Sequence, residues 1–189
     1  MKIVIGLVGE KGSGKGTFVS LLREIVPKKS VAQIRFSDIL FETLDLWGIQ
    51  TTRRNLQELA IAMRNTYGED IIARVTCERA VHVRADIVIL DGIRWPPEVG
   101  MIRKLLNNTI VYVTADSRLR YERLKVRGEK VGEANATLEQ FLEEELAATE
   151  SFISSIGAAA DFRIVNDTSV EDFRRQVEEF VRTKIKAIF

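Results

Sequence analysis

Gly9-Glu10-Lys11-Gly12-Ser13-Gly14-Lys15-Gly16-Thr17 follows directly on the apolar run Ile3-Val4-Ile5-Gly6-Leu7-Val8 and leads directly into a helical pattern. It fits G-x-x-x-x-G-K, the form of a phosphate-binding loop. Glycines let successive backbone N–H groups turn inward around anionic oxygens, and the helix that follows points its positive end at the same anion. Lys15 adds a mobile cation that can reach the β- and γ-phosphates. The expected nucleotide contacts are therefore Gly12, Ser13, Gly14, Lys15, Gly16 and Thr17. The commonest version of the loop places Ser or Thr directly after the lysine, where its hydroxyl ligates Mg²⁺. Here Gly16 holds that place and Thr17 comes one later. The metal is then expected to rest mostly on phosphate oxygens and water, which suits its reluctance to dehydrate.

Outward from the loop, apolar runs alternate with helical patterns. The predicted strands are Ile3–Val8, Val31–Phe36, Ile87–Asp91, Ile110–Val113 and Phe162–Val165. Ile87-Val88-Ile89-Leu90 is continuously apolar, as a strand covered on both faces requires. Leu56, Leu59, Ala60 and Met63 make one helical stripe, and Phe173, Val177, Phe180 and Val181 another. Alternating strands and helices imply right-handed βαβ units, a parallel sheet, and ligands at the carboxyl ends of the strands. The stretch 39–85 is too long for a plain crossover. It reads as three helices, starting near Asp38, Thr52 and Glu69, that form a small cap able to close on an acceptor.

The residues just after each strand carry the candidate chemistry. Asp38 is either a helix cap, a contact to an acceptor's sugar or base, or, for a hydroxyl acceptor, the general base. Asp91 ends an apolar strand beside the loop and is the candidate to hold Mg²⁺ through its water shell. The 39–85 insertion supplies Arg53, Arg54 and Arg64. One of Arg53 and Arg54 is expected to grip the acceptor, and Arg54 shares a helix face with Gln57. Arg123 and Arg127, four apart, share a face from which they can clamp a transferring phosphoryl group. The segment 128–137 reads as a short lid with Lys130 a phosphate contact, and it has no Cys or His to hold zinc. His82, the one histidine, receives no role, and Glu143-Glu144-Glu145 reads as a solvated helix face.

Bulk properties bound the rest. The chain has 189 residues, 46% hydrophobic and 29% charged, with a formal net charge of +1. That is enough for one well-cored domain and gives no whole-molecule attraction to nucleic acid or anionic membrane. The single Cys77 rules out an internal disulfide and fits a cytoplasmic protein. No apolar stretch approaches the ~18 residues of a membrane span, and the N-terminal run leads into a charged loop, unlike a signal peptide.

The string from Gly9 to Thr17 resembles the adenylate kinase and wider nucleoside monophosphate kinase family. Leu90-Asp91-Gly92-Ile93-Arg94 is similar to that family's L-D-G-F-P-R segment, with the arginine one residue sooner. Arg123-Leu124-Lys125-Val126-Arg127 is similar to its R-L-x-x-R pattern beside the lid. Together with Tyr67-Gly68-Glu69-Asp70, the Leu90–Arg94 segment also resembles archaeal dephospho-CoA kinase-like and adenylate kinase-related proteins. The resemblance implies a P-loop NTPase fold of three α/β/α layers, with a five-stranded parallel sheet, a helical acceptor-binding insertion and a short lid. It implies ATP and Mg²⁺ as cofactors and transfer of the γ-phosphoryl group to a (deoxy)nucleoside monophosphate. Arg94 would bind the acceptor phosphate, and the loop at Asn166 and Asp167 would pack on adenine. Two alternatives stand beside it: transfer to a hydroxyl with Asp38 as base, and a P-loop ATPase regulated by a protein partner. The expected partner is a small phosphorylated acceptor, with no nucleic acid or membrane, and the chain would act as a monomer or homodimer.

Overall fold

The computed structural model describes residues 2–127, 137–146 and 150–185. Its strands are β1 (Ile3–Val8), β2 (Val31–Arg35), β3 (Ile87–Ile93), β4 (Asn108–Thr114) and β5 (Phe162–Val165). All neighbours pair in parallel, in the order β2-β3-β1-β4-β5. The described helices are α1 (Lys15–Ile25), α2 (Asp38–Leu46), α3 (Arg53–Tyr67), α4 (Ile71–His82), α5 (Pro96–Ile102), α6 (Ser117–Arg127), α7 (Leu138–Glu145), α8 (Ile153–Ala158) and α9 (Val170–Phe180). A π-helical turn, Val181–Ile185, continues α9.

The alternation of β1 explains the layers. Ile3, Ile5 and Leu7 point into one core with Phe18, Val19 and Leu22 of α1 and Phe173, Val177 and Phe180 of α9. Val4 and Val8 point into the other, with Leu40, Ala60, Ile72, Ala73 and Cys77 of the insertion, Ile102 of α5, and Ile153 and Ile156 of α8. Both faces of the sheet are thus covered, which is why β1 and the first four residues of β3 read as unbroken apolar runs. From β1 the chain crosses by α1 toward β2, and from β3 it crosses by α5 in the opposite direction to β4. Right-handed crossovers put α1 and α5 on opposite faces, as the two cores require.

The three insertion helices start within two residues of where the sequence places them. Thr52 caps α3 by accepting from Asn55 N at 3.1 Å. The ammonium of Lys2 donates to Ala80 O, Val81 O and Val83 O at the end of α4, a favourable place for a cation. β2 stops one residue earlier than expected, and β3 runs two further. There Leu7 pairs with Asp91 and Val8 with Ile93, so Gly92, at φ 89°, is bulged out between them. Asp91 is still in register opposite buried Leu7, and the register on β1 shifts only after it. Among the described residues no helix is long and apolar enough to cross a membrane.

Candidate functional site

The loop between β1 and α1 is shaped by backbone. Gly12 and Gly14 have φ of 74° and 106°, a region that side-chain-bearing residues avoid. A Cβ on Gly14 would lie 2.3 Å from Asn166 Nδ2, and one on Gly12 would lie 2.8 Å from Arg120 O. Ser13 is fully buried between them, and its hydroxyl has no hydrogen-bond partner. Gly16 and Thr17 are exposed in the first turn of α1, where backbone N–H groups lack intrahelical acceptors.

The loop is tied to the rest of the sheet edge by side chains from far along the chain. Asn166 donates from Nδ2 to Ser13 O at 2.9 Å, and from its own N–H to Thr114 O at 2.8 Å. Asp167 accepts from Asp116 N at 2.6 Å. Arg123 donates from Nη2 to Asn166 O at 2.8 Å, while its buried Nη1 has no partner. Asn166, Asp167 and Arg123 therefore form one brace against the loop. Glu10 accepts from the Tyr112 hydroxyl across the same edge. Arg120, which sequence reasoning missed, is buried, donates to Ala115 O at 2.9 Å and pairs with Glu145 of α7. Glu145 is thus not a freely solvated side chain, in contrast to the reading of the acidic run.

Lys15 donates to Gly9 O at 2.6 Å and Glu10 O at 2.9 Å, so the loop's own carbonyls hold its ammonium over the loop. Burial holds its pKa below the usual lysine value; Asp91 opposes that effect and Arg94 adds to it. Asp91, nearly buried, accepts from Gln33 Nε2 at 2.8 Å through Oδ2, and its Oδ1 has no partner. Gln33 was not singled out in the sequence, although a polar residue on a strand that packs on both faces was a signal.

Beside these two residues opens a cavity of about 300 Å³. Phe36, Leu40, Leu56, Ile61 and Trp95 give it apolar walls, and Lys15, Arg35, Gln57, Asp91, Arg94 and Glu98 supply polar groups. Arg94 pairs with Glu150, which also lines the cavity and is 7% exposed. Glu98 Oε2 accepts from Arg94 N at 2.6 Å and Trp95 N at 3.1 Å, fixing the turn that delivers both side chains. Burial pushes the Glu98 carboxyl up to about 7, against the pull of those two N–H groups and of Arg64. The Arg64 guanidinium stacks over the Trp95 ring at 3.9 Å. Glu98 was legible as an acid three residues after Trp95 at the start of a Pro-Pro helix.

Other expected site residues fall elsewhere. Asp38 Oδ2 accepts from Arg35 N at 2.8 Å, closing the turn after β2, and Asp38 does not line the cavity. This short-range bond competes with any role in the cavity. Arg54 pairs with Glu58 at 2.7 Å with its side chain 84% exposed, while Gln57 from the same face lines the cavity. The side chains of Arg53 and Arg127, all of Lys130, and the expected lid apart from Thr137 lie outside the described residues. Thr137 and Gln140 exchange hydrogen bonds at the start of α7. Among the described residues no group of three or more His, Cys, Asp or Glu is placed to hold a metal ion.

No protein-family model matches the chain. Solved structures share its fold: a shikimate kinase from Bacteroides thetaiotaomicron at TM-score 0.60 and 13% identity, over 95% of this chain and 97% of that one. A shikimate kinase from Acinetobacter baumannii, in complex with shikimate, aligns at TM-score 0.56 and 16% identity, over 100% and 96%. The fold is thus the α/β fold of P-loop kinases. Among sequences, a UPF0200 protein of Sulfurisphaera tokodaii is 32% identical over 179 residues, covering 95% of this chain and 96% of its own. A UPF0200 protein of Hyperthermus butylicus is 30% identical over 180 residues, covering 95% and 94%. With near-complete coverage on both sides, the chain belongs to the UPF0200 family.

Proposed function

We propose that this protein is an ATP-dependent phosphotransferase that moves the γ-phosphoryl group to the phosphate of a (deoxy)nucleoside monophosphate. The observation that carries the reading is that Lys15 and Asp91, whose buried Oδ1 has no partner, line one cavity of about 300 Å³ under the insertion. A donor bound on the loop and an acceptor bound in the cavity would meet at those two groups. The loop fits the donor: Gly12 and Gly14 leave no room for a Cβ, and backbone N–H groups from Gly12 to Thr17 are the expected cradle.

Asp91 fits Mg²⁺ held through water, since one carboxylate oxygen is fixed by Gln33 and the other has no protein donor. When bound, the ion would neutralise charge on the donor phosphates. Lys15 would leave its loop carbonyls for the β- and γ-phosphates. Arg94 and Gln57 would hold the acceptor, while Asn166 and Asp167 keep the nucleotide edge in place. Arg123 and Arg127 would stabilise the moving phosphoryl group. In the reaction an acceptor phosphate oxygen bonds to the γ-phosphorus as the bond to the β,γ-bridging oxygen breaks, leaving ADP. A phosphate acceptor is already ionised near neutral pH and needs no base. The position of Asp38 favours that acceptor over a hydroxyl, because its carboxylate is turned into the β2–α2 turn.

The test is ADP formation from Mg-ATP with ribo- and deoxyribonucleoside monophosphates and dephospho-CoA, with Lys15→Ala as control. Stimulation by one monophosphate is the expected result. Stimulation by dephospho-CoA alone would shift the acceptor to a hydroxyl. Slow hydrolysis indifferent to every acceptor would overturn the kinase reading in favour of a partner-regulated ATPase.

A further inference from the structure

The face of the sheet that packs on α1 changes character at its carboxyl edge. On β3 the row is Ile87, Ile89, Asp91. On β2 the register partners are Val31, Gln33, Arg35. Val31, Ile87 and Ile89 pack in the α1 core; the next steps along the rows are polar. A strand keeps one face for alternate residues, so the switch from apolar to polar marks where the core face becomes a ligand face. Gln33 is used on Asp91. Arg35 is paired in register with Asp91, yet the two form no ion pair, and Arg35 instead lines the cavity.

The cavity's other cations, Lys11, Lys15 and Arg94, each have a partner. Arg94 is held by Glu150, and the Lys15 ammonium by two loop carbonyls. Arg35 is an exposed guanidinium whose side chain has no hydrogen-bond or ion-pair partner among the described residues. Its backbone, by contrast, is fixed, with Arg35 N held by Asp38 and the next residue, Phe36, buried and bonded to Asp91 O at 3.2 Å. A planar fork of donors on a rigid backbone, at the mouth of a cavity with apolar and aromatic walls, suits a ligand with an apolar or planar body and one anionic end.

We propose that Arg35 binds the anionic group of the acceptor and so sets the preference for phosphorylated over unphosphorylated acceptors. This rests on the phosphotransferase reading above. Arg35→Ala is expected to raise the acceptor KM at least tenfold, with the dissociation constant of Mg-ATP changed less than twofold. In direct titrations it should erase the wild-type preference for the monophosphate over its parent nucleoside, and Arg35→Lys should restore part of that preference. Arg182→Ala, on the far side of the fold, is the control. If the wild type phosphorylates a monophosphate and Arg35→Ala leaves its KM unchanged, or weakens monophosphate and nucleoside alike, this proposal falls alone. If the wild type binds Mg-ATP but neither binds nor phosphorylates any monophosphate, the phosphotransferase reading falls and takes this one with it.

Discussion

Around Lys15 the site is made of backbone: Gly12 and Gly14 at positive φ, a buried serine, and two carbonyls that hold the ammonium. Across the cavity, the wall from the β2–α2 turn, α2, α3, the β3–α5 turn and α5 is made of side chains: Phe36, Leu40, Gln57, Trp95 and Glu98. The backbone wall has few positions that matter, and those tolerate nothing else. The side-chain wall has many, and each can be changed without refolding the loop. A site built this way keeps its donor fixed while single substitutions can retune what it accepts.

The largest expected effect lies on the backbone side. Lys15→Ala should lower turnover by about 10³-fold or more with an unchanged melting temperature; turnover within tenfold of wild type would break the contrast at its root. Gly14→Ala comes next. It forces an alanine to φ 106° and a methyl to within 2.3 Å of Asn166 Nδ2. The cost should be about 1–3 kcal/mol of stability, with ATP affinity reduced at least tenfold. Pairing it with Asn166→Ala should relieve the clash but not the backbone strain, so affinity should return only in part.

On the side-chain wall, Glu98 gives a pH signature. Its folded pKa of about 7 lies above the ordinary 4.5, so between those values the folded protein binds more protons than the unfolded chain. Stability from this group is complete below about pH 4.5 and is lost as pH rises through 7, by up to about 3 kcal/mol. Unfolding of wild type and Glu98→Gln, compared at pH 5 and pH 8, should show the wild type losing several degrees relative to the variant. Parallel curves would remove the buried charge from the account. Gln57→Ala should raise the acceptor KM several-fold with kcat nearly kept. Arg54→Ala, three residues earlier and out in solvent, should change KM less than twofold in the same assay. Reversed sizes for these two would mean that the acceptor is held one turn nearer the N-terminal end of α3.

That last pair shows where sequence reasoning stops. The central strands β1 and β3 were legible because burial on both faces leaves unbroken apolar runs, and the loop because its glycines answer to local geometry. Gln57 and Arg54 are one helical turn apart, and periodicity alone does not say which of two polar neighbours turns inward; the packing of Leu56 and Ala60 decides it. Asp38 looked chemical because it follows a strand, but a bond to Arg35 N three residues back takes its carboxylate. Glu145 lies in an acidic run that reads as a solvated face, and Arg120 in a basic run whose reading singles out Arg123 and Arg127. Only the approach of α7 to α6 makes them a half-buried pair. Glu98 and Gln33 act through hydrogen bonds to neighbours whose positions the fold alone supplies.

The bond from Asn166 to Ser13 O spans 153 residues. During synthesis the ribosome would release the brace 153 residues after the phosphate loop. The strands on either side of β1 also arrive late, since Ile3 pairs with Ile87 and Val4 with Asn108. A nascent chain therefore carries the complete glycine motif long before it can hold that motif in shape. The brace forms only once residue 166 has emerged, and a product stopped short of it would display the signature without the braced loop.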